Sequence, residues 1–392
     1  MDEFLTESRV KGSTGDEAKK ITVKLWGKGV FEKEDVVQGS ANTQYYRRSA
    51  GQFIYSKLDF LNQAFGIVPS HLDGFESTVD LPCFDVSDEL NSIFLLEYVQ
   101  RKGFYKKLGE MADGGRKAKR IQVETFLSFP IYVPESETEQ QKIADCLSSL
   151  DELIAAHSRK LDALKAHKKG LMQQLFPHEG ESLPRLRFPE FKNAPDWELK
   201  PLGDLFETTT GGTPARSKNE YWGGEIPWIT TSLVDFNVIF DAEEFITQDG
   251  LENSSAKLFP KETVLLALYG QGITRGKVAM LGIEASTNQA CGAILPCEEI
   301  EPRFTFLYLC NRYEELRGLS NSGGQKNLSQ GIIRELPFAY PEDAEEQKRI
   351  VSCLTSLNEI IESQTQKLER LAGHKTGLMQ QLFPSMGEGN KA

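Results

Sequence analysis

The sequence predicts an α+β protein in which two globular α/β regions are separated by two long helices packed as an antiparallel coiled coil. Three observations carry that expectation. First, residues 139–177 and 346–384 are the same stretch twice, agreeing at 22 of 39 positions at a constant offset of 207. Their last eight residues, GLMQQLFP, are identical in Gly170–Pro177 and Gly377–Pro384. Second, apolar side chains recur through both copies at steps of 3 and 4. Third, the order of strands, helix, Gly-Gly loop, short apolar strand and long helix occurs in both halves, although the residues between the copies look unlike one another. Two copies are too few for a solenoid, so the chain is a duplicated half-molecule.

The long helices follow from the period. Ile143, Leu147, Leu150, Ile154, His157, Leu161, Leu164, Lys168, Leu171 and Leu175 fall on one seam, and Ile350 to Leu382 repeat it. A 3.5-residue spacing is the mark of a coiled coil. At 1.5 Å per residue each helix should run roughly 55–60 Å. Pro177 and Pro384 end them, because a proline disfavours helical conformation in the residue before it. If the helices pack antiparallel about a pseudo-twofold axis, Ile143 faces Leu382, and the mid-seam layers are His157 with Leu368 and Leu161 with Gln364. Those polar residues either fix the register or lie at a solvated margin of a wide seam. Gly170 and Gly377 each weaken a helix by about 1 kcal/mol relative to alanine. Their recurrence suggests that missing side chains let another polypeptide approach, with Met172 and Met379 as adaptable contacts.

The globular regions read as mixed. In the first, Ile21–Trp26, Gly51–Phe60 and Ser77–Val86 have the β-branched and aromatic character of strands between turn signals. Ile93–Met111 reads as one helix ending near Gly114. In the second, Ile226–Phe236, Thr263–Gly270 and Cys291–Pro296 read as strands and Phe304–Leu319 as a helix. The expected divisions are a first region 1–136, a helix 137–177, a surface linker 178–196, a second region 197–343, a helix 344–384 and a tail 385–392.

Composition bounds the function. Hydrophobic content is 39% and no apolar run approaches 18 residues, so no membrane span is expected. The N-terminal residues lack the apolar centre of a signal peptide. Six scattered cysteines without CxxC or Cys/His spacing suggest reduced thiols in a cytoplasmic protein. A net charge of −12 argues against a simple nucleic-acid binder, but contacts depend on local patches. One patch holds Arg101, Lys102, Lys106, Lys107, Arg116, Lys117, Lys119 and Arg120 against Glu110 and Asp113. With Phe104 and Tyr105 it suits phosphate contact; as a solvated helix face it would only complement the helix dipole. Loops rich in glycine and polar side chains, Gly211–Arg216, Thr230–Ser232, Tyr269–Lys277 and Ser322–Asn327, have the chemistry to read base edges. Tyr269–Lys277 is not a phosphate-binding P-loop, and no hydrolase, metalloprotease or nucleotide-cofactor motif is present. The pattern favours a non-catalytic binding protein.

The helix ends His167–Pro177 and His374–Pro384, each closing a helix opened by Glu-Gln, resemble the specificity subunit of type I restriction–modification enzymes. So do RLRFPEF…W…LG (Arg185–Gly203), TGGTPARSKNEYWGGEIPWIT (Thr210–Thr230) and TNQACGAILP (Thr287–Pro296), and the resemblance covers nearly the whole chain. It implies two target recognition domains, each reading one half of a bipartite double-stranded DNA site. The helices would set the gap and dock two methyltransferase subunits, and translocating nuclease subunits would complete the assembly. It also implies no catalysis by this chain, with S-adenosylmethionine bound on the methyltransferase partner.

On that resemblance DNA contacts are expected at Lys57, Arg116, Lys117, Lys119, Gln271, Thr274, Arg275, Lys277, Gln325 and Lys326. Partner contacts are expected at Gly170, Leu171, Met172, Leu175 and Phe176, and at Gly377, Leu378, Met379, Leu382 and Phe383. One departure stands out. Shifting the RLRFPEF segment back by 207 places its counterpart before residue 1, so the first recognition domain is short at its N-terminal end. The rival reading is a duplicated coiled-coil adaptor whose globular regions bind proteins. It predicts no strong salt dependence of duplex binding.

Overall fold

A computed structural model describes residues 1–34, 40–110, 120–178, 180–269, 273–319 and 327–384. The chain divides into two compact units. One comprises residues 1–159 with 366–392, the other residues 160–365. Each unit is therefore one α/β domain, the N-terminal half of the long helix that follows it and the C-terminal half of the other long helix. The helices are Glu137–Leu175 and Ala344–Leu382, of 39 residues each, and they run antiparallel where they pair. In the first unit Ile143, Ala144 and Leu147 share a core with Leu378, Leu382 and Phe383. In the second, Met172, Leu175 and Phe176 share one with Ile350, Val351 and Leu354. Ile143 and Leu382 thus belong to one core.

In the first unit a four-stranded antiparallel sheet has the order Leu5–Ser8, Cys83–Val86, Phe53–Tyr55, Phe65–Ile67. Its strands are short because turn residues interrupt each apolar run. The Gly51–Phe60 segment, for example, gives a strand only over Phe53–Tyr55 before a 3-10 turn at Phe60–Asn62. A hairpin, Ile21–Lys24 with Gly29–Glu32, and a three-stranded sheet complete it. The core is aromatic: Phe53, Tyr55, Phe60, Phe65, Phe84, Phe104, Phe126 and Phe129 are all buried.

In the second unit the corresponding sheet has the order Thr208–Thr210, Cys291–Ile294, Val264–Ala267, Val278–Leu281, and adds Val238–Ile239 in parallel at its edge. Its strands Val264–Ala267, Val278–Leu281 and Cys291–Ile294 are buried at every position. A second sheet of four strands carries Trp222–Ile229. The Ile226–Phe236 segment leaves the sheet at Ile229, where a 3-10 turn over Thr231–Leu233 takes over.

The single helices expected over 93–111 and 304–319 are each two helices. Ser92–Gln100 and Lys102–Gly109 meet at Arg101, whose ψ of 134° is extended. Pro302–Asn311 and Tyr313–Gly318 meet at Arg312. In both cases the arginine is held by groups off the helix axis. The Arg101 guanidinium lies 3.9 Å from the Tyr98 ring centre and 4.6 Å from that of Phe383. Arg312 pairs with Glu315 and donates to the Tyr308 hydroxyl and the Pro337 carbonyl.

The surface linker is pinned rather than loose. Arg187 donates from Nε and Nη2 to the Glu346 carboxylate at 2.7 and 2.6 Å, and Trp197 Nε1 donates to it at 3.1 Å. Glu346 is buried beneath them, whereas its repeat counterpart Glu139 is exposed. The strand Glu198–Pro201 pairs with Pro337–Tyr340; the equivalent stretch Pro130–Val133 is in no strand. No helix among the described residues is long and apolar enough to cross a membrane.

Gln140 and Gln347 fix each domain to its helix in the same way. The Gln347 side chain accepts from the Glu301 backbone N–H and donates to the carbonyls of Glu299 and Pro341. Gln140 does the same with Asn91, Glu89 and Pro134. A leucine at either position leaves three backbone groups, most of them partly buried, without their partner, at up to about 1–3 kcal/mol for each one that water does not reach. Gln347→Leu should therefore lower the urea midpoint of the second unit, read by fluorescence of Trp197, Trp222 and Trp228. An unchanged midpoint would show that the glutamine is not a structural anchor.

Candidate nucleic-acid interface and helix anchors

In the second domain the glycine-rich loop begins where the strand Thr208–Thr210 ends. A Cβ on Gly211 would lie 2.1 Å from the Thr287 carbonyl, and one on Gly212 would lie 2.1 Å from that of Ser255. Only glycine passes between those two segments. Trp228 Nε1 donates to the Gly212 carbonyl at 3.0 Å and locks the loop. Polar side chains are gathered around it. The Thr213 hydroxyl donates to Gln289 Oε1, and Lys257 Nζ donates to the Thr209 hydroxyl. The Arg216 guanidinium lies 3.7 Å from the Trp222 ring centre and pairs with Glu244. This pairing holds the guanidinium above its usual range and the Glu244 carboxyl below its own. The cluster offers an amide, an ammonium and a guanidinium on a rigid backbone, the donor set suited to base edges and phosphates. Sequence reading selected the loop but missed Lys257 and Gln289 as its neighbours, because strand pairing brings them there across 48 and 76 residues.

Of the expected DNA contacts, Arg116, Lys117, Lys119, Gln271, Gln325 and Lys326 lie outside the described residues. Lys57 is half-buried, and its backbone bonds to Asp80 and Ile121. Thr274 accepts from the Lys277 N–H with its carbonyl, closing a turn. Arg275 donates to the Arg317 carbonyl, and Lys277 pairs with Asp235 at 2.7 Å with its side chain 15% exposed. Arg275 and Lys277 are thus engaged within the domain.

In the first domain the basic patch sorts by burial. Arg101 is spent on Tyr98 and Phe383 and also donates to the Pro384 carbonyl at 3.1 Å, and burial lowers its affinity for its proton. Phe104 and Tyr105 are core residues, not base-stacking surfaces. Lys102, Lys106 and Lys107 are exposed.

The helix ends expected to meet a partner are largely occupied within the chain. Phe176 packs on Phe304 and Tyr308 at 5.5 and 5.7 Å, and Phe383 on Phe94 and Tyr98 at 5.3 and 5.6 Å. Met172 and Leu175 are buried with them, and Leu171, Leu378, Met379 and Leu382 pack partly against the same cores. The apolar half of GLMQQLFP therefore holds a domain: Met172, Leu175, Phe176 and Phe383 are core residues, and Leu171, Leu378, Met379 and Leu382 are only partly covered. At Gly170 and Gly377 there is open space where a Cβ would stand.

The anchors are not identical electrostatically. Lys375 Nζ bridges Glu97 at 3.0 Å and Asp151 at 2.6 Å. Burial pushes the Glu97 carboxyl up, against the pull of the Lys375 ammonium. At the corresponding places of the second unit stand Lys168, Leu307 and Asn358, and burial lowers the Lys168 ammonium. No group of three His, Cys, Asp or Glu side chains among the described residues is placed to hold a metal ion.

A family model described as the type I restriction modification DNA specificity domain matches residues 83–166 and 195–372. That is more than half of the chain. The chain belongs to this family. Among specificity subunits it is 30% identical over 185 residues to that of the type I restriction enzyme MjaIX of Methanocaldococcus jannaschii, covering 45% of this chain and 42% of the relative. It is 25% identical over 269 residues to that of EcoR124I/EcoR124II of Escherichia coli, covering 67% and 63%. The chain thus matches less than two thirds of the length of either relative. In structure it is similar to the type I restriction-modification S subunit of M. genitalium, with a TM-score of 0.61 at 15% identity over 98% of this chain and 95% of the other. Membership in a DNA specificity family favours the DNA-reading expectation over the adaptor.

Two outcomes follow from this site. Replacing Lys102, Lys106 and Lys107 by alanine should flatten the salt dependence of duplex binding, by a log–log slope of up to about 0.9 for each phosphate no longer neutralised; an unchanged slope removes these lysines from the interface. Glu97, protonated more readily in the fold, contributes stability that is complete below the ordinary carboxylate value of 4.5 and is lost as pH rises through its raised value. The Glu97→Gln chain should not show that loss, and parallel urea midpoints for both chains from pH 4.5 to 8 would contradict it.

Proposed function

We propose that this chain is the sequence-reading, non-catalytic subunit of a type I restriction–modification complex, each α/β domain contacting one half of a bipartite DNA site. The observation that carries the reading is the duplicated anchor. The same buried glutamine and the same Phe–Phe–Tyr cluster fix a different recognition surface to each helix pair. A design that repeats the mounting and varies what is mounted suits a protein that reads two unrelated half-sites with one assembly. Helices of 39 residues, roughly 58 Å at 1.5 Å per residue, set the gap between the half-sites.

On this reading two methyltransferase subunits bring S-adenosylmethionine and the chemistry, translocating nuclease subunits join the assembly, and all work in the cytoplasm. The partners also supply phosphate contacts, which makes the chain's net charge of −12 tolerable. The test is to express the chain with a type I methyltransferase subunit and map methylated adenines across the host genome. A bipartite motif with a fixed gap is expected, and exchanging residues 197–343 for those of another specificity subunit should change one half of the motif only. Methylation without sequence preference, or none, would contradict the proposal.

A further inference from the structure

The loop through Gly211 and Gly212 ends on an arginine that its neighbours hold in a defined plane. Trp222 and Ile226 both pair with Ile246, so the residues between them bulge from the strand. Gly223 takes a φ of 79°, and a Cβ on Gly224 would lie 2.4 Å from the Ile246 carbonyl. The bulge returns Trp222 to the side of Trp228, with ring centres 5.0 Å apart and edge to face. Trp228 Nε1 holds the Gly212 carbonyl, and Trp222 Nε1 donates to that of Ala215 at 3.3 Å. Both ends of the loop are thus tied to one pair of indoles. The next residue, Arg216, has its guanidinium 3.7 Å from the Trp222 ring centre and 4.9 Å from that of Trp228.

Glu244 stands directly across the strand pair from Trp228, and its two oxygens accept from Nη1 and Nη2 of Arg216. The Arg216 side chain is 54% exposed and that of Glu244 37%, whereas Lys277, in its pair with Asp235, is 15% exposed. An exposed ion pair contributes little to folding, so a bulge, two indoles and a carboxylate gathered on one cation serve a ligand better than the fold. The pair also leaves chemistry unused. A guanidinium has five N–H donors, of which Glu244 takes one on each Nη, so the Nε–H and the outer Nη hydrogens remain. Each carboxylate oxygen keeps a lone pair.

We infer that Arg216 and Glu244 together read one G·C base pair from the major groove, and that Trp222 positions them. That the ligand is duplex DNA rests on the function proposed above. The Nε edge of the arginine meets guanine O6 and N7, while the carboxylate accepts from the N4 amino group of cytosine. The same pair rejects A·T on both bases. Adenine presents its N6 donor where guanine presents an acceptor, and thymine O4 faces the carboxylate. Phosphate is disfavoured too, since Glu244 and the exposed Glu243 beside it repel an anion. A guanidinium stacked flat on an indole keeps its charge and is already oriented, so less freedom is lost on contact.

The test maps methylated adenines in cells expressing the chain with a type I methyltransferase subunit. The half-motif that changes on exchanging residues 197–343 should contain an invariant G·C pair. Arg216→Ala should make that one position degenerate, the preference for G falling about tenfold to a hundredfold, the range of one bidentate base contact. Arg216→Lys keeps the charge without the fork and should relax the position as well. Trp222→Ala should do the same, and Trp222→Phe, which retains a ring face, should restore the wild-type motif. Unchanged thermal melts separate these effects from misfolding. In duplex binding by the assembled complex, 7-deazaguanine at that position, which lacks N7, should weaken the wild type and leave Arg216→Ala unaffected. If Arg216→Lys keeps the wild-type motif while Arg216→Ala only flattens the salt dependence, the arginine contacts phosphate and the proposal falls. If every variant keeps the motif, Arg216 and Glu244 are a surface ion pair and the proposal falls though the function stands. If wild-type chain yields no bipartite motif, the functional reading fails and takes this base contact with it.

Discussion

The burial of one phenylalanine at the end of each long helix is the interaction on which the rest of the molecule depends. Phe176 and Phe383 enter domains distant from them in sequence and complete aromatic clusters with Phe304 and Tyr308, or Phe94 and Tyr98. Burying such a side chain contributes about 1.5–3 kcal/mol, and truncating it to alanine typically costs about 3–5 kcal/mol. Each helix is thereby tied at its start to the domain that precedes it, by Gln140 or Gln347, and at its end to the other domain. Neither domain closes its core from its own sequence neighbourhood.

The consequence is a division of labour within the repeated motif. The Glu-Gln opening satisfies the backbone of the neighbouring domain helix, and the Leu-Phe-Pro close fills a core. The seam between them is left to hold the helices side by side. Because these anchors are backbone bonds and aromatic contacts, they do not constrain the loops that face away from them. The loop through Gly211 and Gly212, held by Trp228, can differ from anything in the first domain without disturbing the mounting. The mounting differs between the halves in its charges as well: Lys375 has Glu97 and Asp151, and Lys168 has Leu307 and Asn358 in the aligned positions.

The basic patch shows why single residues resisted reading from sequence. Eight cationic side chains between Arg101 and Arg120 looked equivalent. Tertiary packing spends Arg101 on an aromatic pair and the end of a helix, and pairs Arg120 loosely with Asp80 at 3.7 Å. Lys102, Lys106 and Lys107 are exposed. The same holds for Arg275 and Lys277, whose glycine-rich surroundings suggested a recognition loop and whose actual partners are Arg317 and Asp235. Charge in a sequence says what a side chain can bind; only its neighbours decide whether it is already bound.

The sequence by itself determined the duplication, the two long helices, the mixed domains and the family. Each of these rests on periodicity or on a repeated motif, and both are local or additive along the chain. Tertiary structure alone decided that the GLMQQLFP ends belong to the chain's own cores, that each domain helix breaks at an arginine, and that Lys257 and Gln289 gather at the Gly211–Gly212 loop. The physical reason is one of range. A helix seam is specified by residues three and four apart, whereas a core contact between Phe383 and Phe94, or a hydrogen bond between Gln289 and Thr213, depends on closing loops of tens to hundreds of residues.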